Sequence, residues 1–184
     1  ADYNTFGTFN TGKLRVQGVE LGVAGNVTDA WSMQGGVAIM KARILKSADA
    51  SINATQLALG ATNVGKTIAN FANVSAEFMT RYQFTDKFAM GAAVKYKGKR
   101  YGGQPDTAAV YTYTANGEFN YTQPVPAYAV GDMFAEYKIA DNIDLRLNVN
   151  NITNKHYYLA AYRAGFFLYK GDGRQVTGTL NVSF

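Results

Sequence analysis

The stretch Gly173-Arg174-Gln175-Val176-Thr177-Gly178-Thr179-Leu180-Asn181-Val182-Ser183-Phe184 decides how the rest of the sequence is read. From Val176 onward, Val176, Gly178, Leu180, Val182 and Phe184 alternate with Thr177, Thr179, Asn181 and Ser183. A period of two sends successive side chains to opposite faces of a strand, so one face is apolar and the other polar. A soluble sandwich gives the same alternation. The length points instead to a bilayer, which a tilted strand crosses in about 9 to 11 residues.

The same pattern recurs upstream. A strand is expected from Lys13 to about Asn26, with Val19, Leu21 and Val23 on one face and Glu20 opposite. Leu14 and Val16 have the other parity, which predicts a bulge near Gln17 and Gly18. Further strands are expected at about Ala30–Leu45, Asn73–Phe84, Phe88–Tyr101, Ala127–Ile139 and Ile143–Ile152. The turns Val27-Thr28-Asp29-Ala30-Trp31, Phe84-Thr85-Asp86-Lys87-Phe88 and Ile139-Ala140-Asp141-Asn142-Ile143 repeat one shape, with an aspartate at the centre of each. Between them lie three long connections, Ser47–Asn70, Gly102–Pro126 and Thr153–Asp172, expected to be loops. Short turns alternating with long loops are the asymmetry of outer-membrane barrels, whose periplasmic turns are short and whose extracellular loops are long.

Composition agrees. Tyr (13), Phe (11) and Gly (19) are plentiful and Pro (3) is scarce, as suits a sheet with interfacial aromatic belts. No run of about 18 apolar residues predicts a membrane helix, and the absence of cysteine excludes disulfides and thiolate metal sites. Seven strands is an odd number, whereas single-chain bacterial barrels have even counts. Residues 1–184 are therefore expected to be the C-terminal part of a larger antiparallel transmembrane β-barrel, all-β, with its remaining strands elsewhere.

Several ordered segments carry a resemblance. They are Arg15-Val16-Gln17-Gly18-Val19-Glu20-Leu21, Gly65-Lys66-Thr67-Ile68-Ala69-Asn70, Gly98-Lys99-Arg100-Tyr101-Gly102, Leu147 through Tyr158 (LNVNNITNKHYY), and Gly173-Arg174-Gln175-Val176 leading to Phe184. Together they resemble the C-terminal barrel of TonB-dependent outer-membrane receptors, in particular siderophore receptors. The resemblance implies a 22-strand barrel around a plug domain, multi-pass in the bacterial outer membrane, with uptake driven through the TonB complex. Neither plug nor TonB box is found within residues 1–184. Tyr162-Arg163-Ala164-Gly165-Phe166-Phe167-Leu168-Tyr169 is similar to catecholate-type receptors. The resemblance also implies that the siderophore holds the ferric iron, so that no protein cofactor or metal ligand is required, and that Phe184 is the signal read by the barrel assembly machinery.

Charge is expected to concentrate at the loop end, where the lysines and arginines outnumber the acidic residues while the opposite end is acidic. Such a rim attracts anions. One reading is contact with lipopolysaccharide and outer-membrane lipid, which suits Lys41 and Arg43 in the lipid parity. The other concerns ligand binding: Lys95, Lys97 and Lys99 have the lumen parity, and a ferric tris-catecholate calls for cations and aromatic rings together. Arg163 with Tyr162, Phe166, Phe167 and Tyr169, and the loop tyrosines Tyr111, Tyr113 and Tyr121, offer that chemistry, although interfacial anchoring uses the same residue types.

Other functions find little support. His156 is the single histidine and is read as structural, because one imidazole without clustered carboxylates makes a poor metal site. The same histidine would be the base of any barrel hydrolase, yet Ser183 lies at the other membrane end and Ser75 is far off in sequence, so no enzyme is expected. Gly171-Asp172-Gly173 precedes a strand rather than opening a helix and is no phosphate loop. The cations surround a rim instead of lining a groove, against nucleic acid. A ligand-gated transporter thus stands beside a passive porin or structural barrel as the alternative.

Overall fold

The computed structural model describes residues 13–46, 64–102, 123–162 and 167–184. Every regular element among them is a strand: β1 (Lys13–Asn26), β2 (Trp31–Lys46), β3 (Val74–Thr85), β4 (Phe88–Lys97), β5 (Arg100–Gly102), β6 (Gln123–Val125), β7 (Tyr128–Ala140), β8 (Ile143–Asn150), β9 (Tyr158–Tyr162), β10 (Phe167–Lys170) and β11 (Gln175–Val182). Seven of them form one antiparallel sheet in the order β1-β2-β3-β4-β7-β8-β11. The pairs β5–β6 and β9–β10 are separate hairpins inserted at one end.

Register carries one apolar face across the whole sheet. Val19 pairs with Ile39, Ile39 with Val74, Phe78 with Val94, Met133 with Val149, and Val149 with Val176. These side chains are largely bare: Leu21 is 66% exposed and Leu180 59%. Apolar exposure on this scale, unbroken over seven strands and with no second layer against it among the described residues, fits a sheet whose outer medium is hydrocarbon. Near the tight turns the same face carries an aromatic belt. Tyr82 and Phe84 meet edge to face at 4.8 Å, Phe88 stands 5.8 Å further on, and the Trp31 indole donates to Thr80 Oγ1 at 2.7 Å.

The tight turns are built as their sequences suggest. In the first, Thr28 Oγ1 accepts from the Trp31 amide at 3.1 Å; in the second, Thr85 Oγ1 accepts from the Phe88 amide at 3.1 Å. Small polar residues favour such turns because their side chains satisfy the main chain locally.

Three expectations are corrected. No bulge occurs at Gln17 and Gly18, since pairing runs unbroken from Leu14↔Ile44 to Asn26↔Ser32, and the register shift lies between Lys13 and Leu14. The change of apolar parity instead reflects a real change of face: Leu14 and Val16 point inward with Ala42 and Ile44. Gly18 sits where the backbone of Ile39 and Met40 packs too closely for a side chain. Strand β4 ends at Lys97 rather than reaching Tyr101, because the chain leaves the sheet at Gly98, whose amide donates to Val74 O at 2.9 Å. The second and third long connections are not all loop, since the second contains β6, paired with β5, and the third contains the β9–β10 hairpin.

Candidate ligand-binding face at the loop end

The face opposite the apolar one is polar and lines the inside of the sheet's curve in the barrel reading. Lys95 and Lys97 lie on it, as their parity requires: Lys95 pairs in register with Glu77 and Val130, and Lys97 with Ser75 and Tyr128. A shallow trough of about 590 Å³ is lined in part by these lysines with Glu20, Glu77 and Tyr128. Its charge is mixed rather than uniformly basic. Lys95 Nζ stands 3.5 Å from Asp132 Oδ2, so much of its field is offset, whereas Lys97 has no ion-pair partner among the described residues. Lys99 is not in this row. It lies past the end of β4, with its ammonium 5.1 Å over the Tyr101 ring.

Deeper toward the tight turns, Glu136 is held between two guanidiniums. Arg81 Nε donates to Glu136 Oε2 at 2.9 Å and Arg146 Nη1 to Oε1 at 3.0 Å, while the Arg146 guanidinium lies 4.6 Å over the Phe134 ring. Phe134 in turn covers Gly91, where an added side chain would collide with the ring.

The aromatic group predicted in the third connection comes together. On the β9–β10 hairpin, Phe167 pairs with Tyr162 and Tyr169 with Ala160, which puts Tyr162, Phe167 and Tyr169 on one face. Tyr162 and Phe167 have ring centroids 6.4 Å apart, and all three rings are exposed. The other face of the hairpin turns Ala161 inward, 1% exposed. Arg163, Phe166, Tyr111, Tyr113 and Tyr121 lie outside the described residues. Phe184 sits past the last paired residue of β11 with its ring fully exposed. His156 is exposed, and among the described residues no three His, Cys, Asp or Glu side chains cluster as a metal site.

What positions this end is a set of polar stitches that the residue-by-residue reading passed over. Asn70, with φ of 57°, donates from Nδ2 to Ala161 O at 2.8 Å and accepts from the Ala161 amide at 2.9 Å, and its own amide donates to Tyr101 O. Arg100 is 1% exposed and donates from Nη2 to Tyr158 O at 2.7 Å, with its guanidinium 5.3 Å over Tyr128. Burial pulls its pKa below the usual arginine value, with Tyr128 opposing. Asn151 is 2% exposed; its Nδ2 donates to Lys155 O and Asp172 O, and its Oδ1 accepts from the Lys155 amide. Tyr157 stacks on Tyr128 at 4.5 Å, and burial first, then Tyr128, Asp172 and Asp132, raise its pKa against the lowering effect of Lys95. Asn70, Arg100 and Asn151 all belong to the segments that carried the family resemblance, so those segments are the fastenings of the loop end.

Known proteins agree with this picture. A family model described as TonB dependent receptor-like, beta-barrel, matches residues 1–152. The chain is 28% identical over 175 residues to the probable TonB-dependent siderophore receptor PiuA of Acinetobacter baumannii, covering 95% of this chain and 21% of that protein. It is likewise 28% identical over 184 residues to the catecholate siderophore receptor Fiu of Escherichia coli K12, covering all of this chain and 21% of that protein. The crystal structure of the Acinetobacter baumannii siderophore receptor PiuA superposes with a TM-score of 0.73 at 28% identity, over 94% of this chain and 22% of that one. The chain therefore spans about a fifth of the length of the curated relatives it matches.

Proposed function

The chain belongs to the TonB-dependent receptor β-barrel family, and on that premise we propose that it forms seven C-terminal wall strands of a receptor that takes up ferric siderophores, of the catecholate class, across the bacterial outer membrane. The 22-strand barrel, the plug it surrounds and the TonB complex that drives it belong to the whole receptor. The chemistry is transport and not catalysis.

The observation that favours this reading is the hairpin of Tyr162, Phe167 and Tyr169, whose rings share one exposed face at the same end of the sheet as Lys97. A ferric catecholate is an anion with aromatic faces, and rings beside cations recognise both properties. Arg163 and Phe166 between β9 and β10, with Tyr111, Tyr113 and Tyr121, are proposed to complete the surface, and the iron stays with the siderophore. The kinship to a catecholate receptor over the entire chain points the same way. A passive porin has no observation in its favour, since the matched family is one of receptors.

The test is uptake of radio-iron catecholate by cells that rely on the full-length receptor. Uptake is expected to require TonB; uptake undiminished in cells lacking TonB would support a porin, and no uptake of any catecholate would remove the substrate class. Phe184 is proposed as the residue read during assembly. Its deletion should lower the amount of inserted receptor, and normal insertion would rule out that role.

A further inference from the structure

No strand ladder joins the two hairpins at the loop end, since β5–β6 and β9–β10 form separate two-stranded sheets among the described residues. Asn70 stands where that ladder would be. Its carboxamide is the same chemical group as a peptide, and it exchanges two hydrogen bonds with a single residue of β9: Nδ2 donates to Ala161 O at 2.8 Å and Oδ1 accepts from the Ala161 amide at 2.9 Å. Residues that exchange both bonds form the closely bonded pair of an antiparallel ladder, so this side chain acts as a strand one residue long. The main chain of Asn70 serves the other hairpin, donating its amide to Tyr101 O of β5 at 2.8 Å. With φ of 57° the backbone lies in the left-handed region, which asparagine tolerates and most other side chains do not.

Packing closes the same joint. Ala161 is 1% exposed, and a Cβ added at Gly102 of β5 would stand 2.5 Å from the Ala161 Cβ. Two residues earlier on β5, the buried Arg100 donates from Nη2 to Tyr158 O at the start of β9. All three long connections therefore meet here: Asn70 ends the first, β5 leads into the second and β9 lies within the third. The joint is also one residue from the exposed rings, because alternation along β9 turns Ala161 inward and Tyr162 outward.

We propose that Asn70 is a positioning residue of the ligand-binding face: it locks the β9–β10 hairpin to β5–β6 and so holds Tyr162, Phe167 and Tyr169 from behind, without touching the ligand. The inference rests on the siderophore reading above. A hairpin released from this joint spends part of its time outside the binding arrangement, and apparent affinity falls with the fraction that remains competent.

The experiment uses the full-length receptor in detergent and two variants. Asn70→Gly keeps the left-handed backbone and removes both side-chain bonds, whereas Gly102→Ala wedges β5 from β9 and leaves Asn70 in place. Hydrogen exchange followed by mass spectrometry is expected to run at least about tenfold faster over residues 158–162 in both variants, with β8 as protected as in the wild type. Affinity for the iron(III) complex of a synthetic tris-catechol chelator should fall about fivefold in each. In a receptor carrying Tyr162→Ala, Phe167→Ala and Tyr169→Ala, Asn70→Gly should cause no further loss, because a positioning residue acts only through the rings it positions. Wild-type exchange over residues 158–162 in Asn70→Gly, wild-type affinity despite faster exchange, or an equal loss of affinity with and without the rings would each overturn the proposal. If the wild-type receptor binds no ferric catecholate, the substrate class falls and the exchange result decides alone: faster exchange in both variants sustains the joint, and unchanged exchange overturns it.

Discussion

Every polar atom of the Asn151 side chain bonds to main chain, to Lys155 and Asp172, and its backbone sits at φ of 50°. The amide of Asn151 also donates to Asp132 Oδ1 at 2.8 Å, so one residue ties the end of β8 to β7 and to the segments that lead into β9 and β11. Asparagine tolerates the left-handed region and supplies both a donor and an acceptor there. Asn151→Ala in the full-length receptor is expected to cost about 3 kcal/mol, from three buried bonds at roughly 1 kcal/mol each. Thermal unfolding of the purified receptor checks this, and an unchanged midpoint would show that the clasp is dispensable. Lysines on the inner face should differ in the same experiment on binding. Lys97→Gln is expected to weaken ferric-catecholate affinity by about fivefold, while Lys95→Gln should change it less because Asp132 already offsets that charge. The reverse order in a titration of the two variants would mean that the Lys95–Asp132 pair opens for the ligand.

At the scale of elements, the β9–β10 hairpin divides its two faces between structure and recognition. Ala161 fastens it to Asn70 and packs where Gly102 leaves no room for a side chain, and Gly171 closes against the Tyr157 ring. The opposite face holds Tyr162, Phe167 and Tyr169. Phe167→Ala with Tyr169→Ala is therefore expected to lower catecholate affinity about tenfold, at around 1 kcal/mol or slightly less per ring, with folding intact. Arg163→Ala should act in the same direction on uptake. Wild-type affinity in the double variant would move recognition to another loop.

Most of the sheet's strands were legible because they alternate over two or more turns of the pleat and are bounded by turn residues such as Thr28-Asp29 and Thr85-Asp86. The hairpin was not, since Tyr158-Leu159-Ala160-Ala161-Tyr162 mixes small and apolar residues on both faces and has no alternation to follow. The stitches were hidden for another reason. Asn70 meets Ala161 across 91 residues and Arg100 meets Tyr158 across 58, and bonds from side chain to distant main chain leave no local period. The supposed bulge shows the limit of parity alone: a switch of apolar residues from one face to the other at Gly18 looks identical whether the register slips or the environment changes.

Across the described residues, one face of the seven-stranded sheet carries an apolar band that gives way to cations at the loop end of β1 and β2, and the other is polar, with charges in networks such as Arg81–Glu136–Arg146. That division underlies the function proposed here, because it decides which residues meet lipid and which line the path of the ligand. The most direct measurement is a single-cysteine spin-label scan of β11 and β2 in the full-length receptor, inserted in bilayers, comparing accessibility to oxygen and to a water-soluble nickel chelate. Labels at Val176, Leu180 and Val182, and at Val37 and Ile39, should favour oxygen. Those at Thr177, Thr179, Asn181 and Ala38 should not, giving a period of two on both strands. Equal accessibility at neighbouring positions, or nickel access to the Val176, Leu180 and Val182 face, would contradict the barrel wall and with it the transport function.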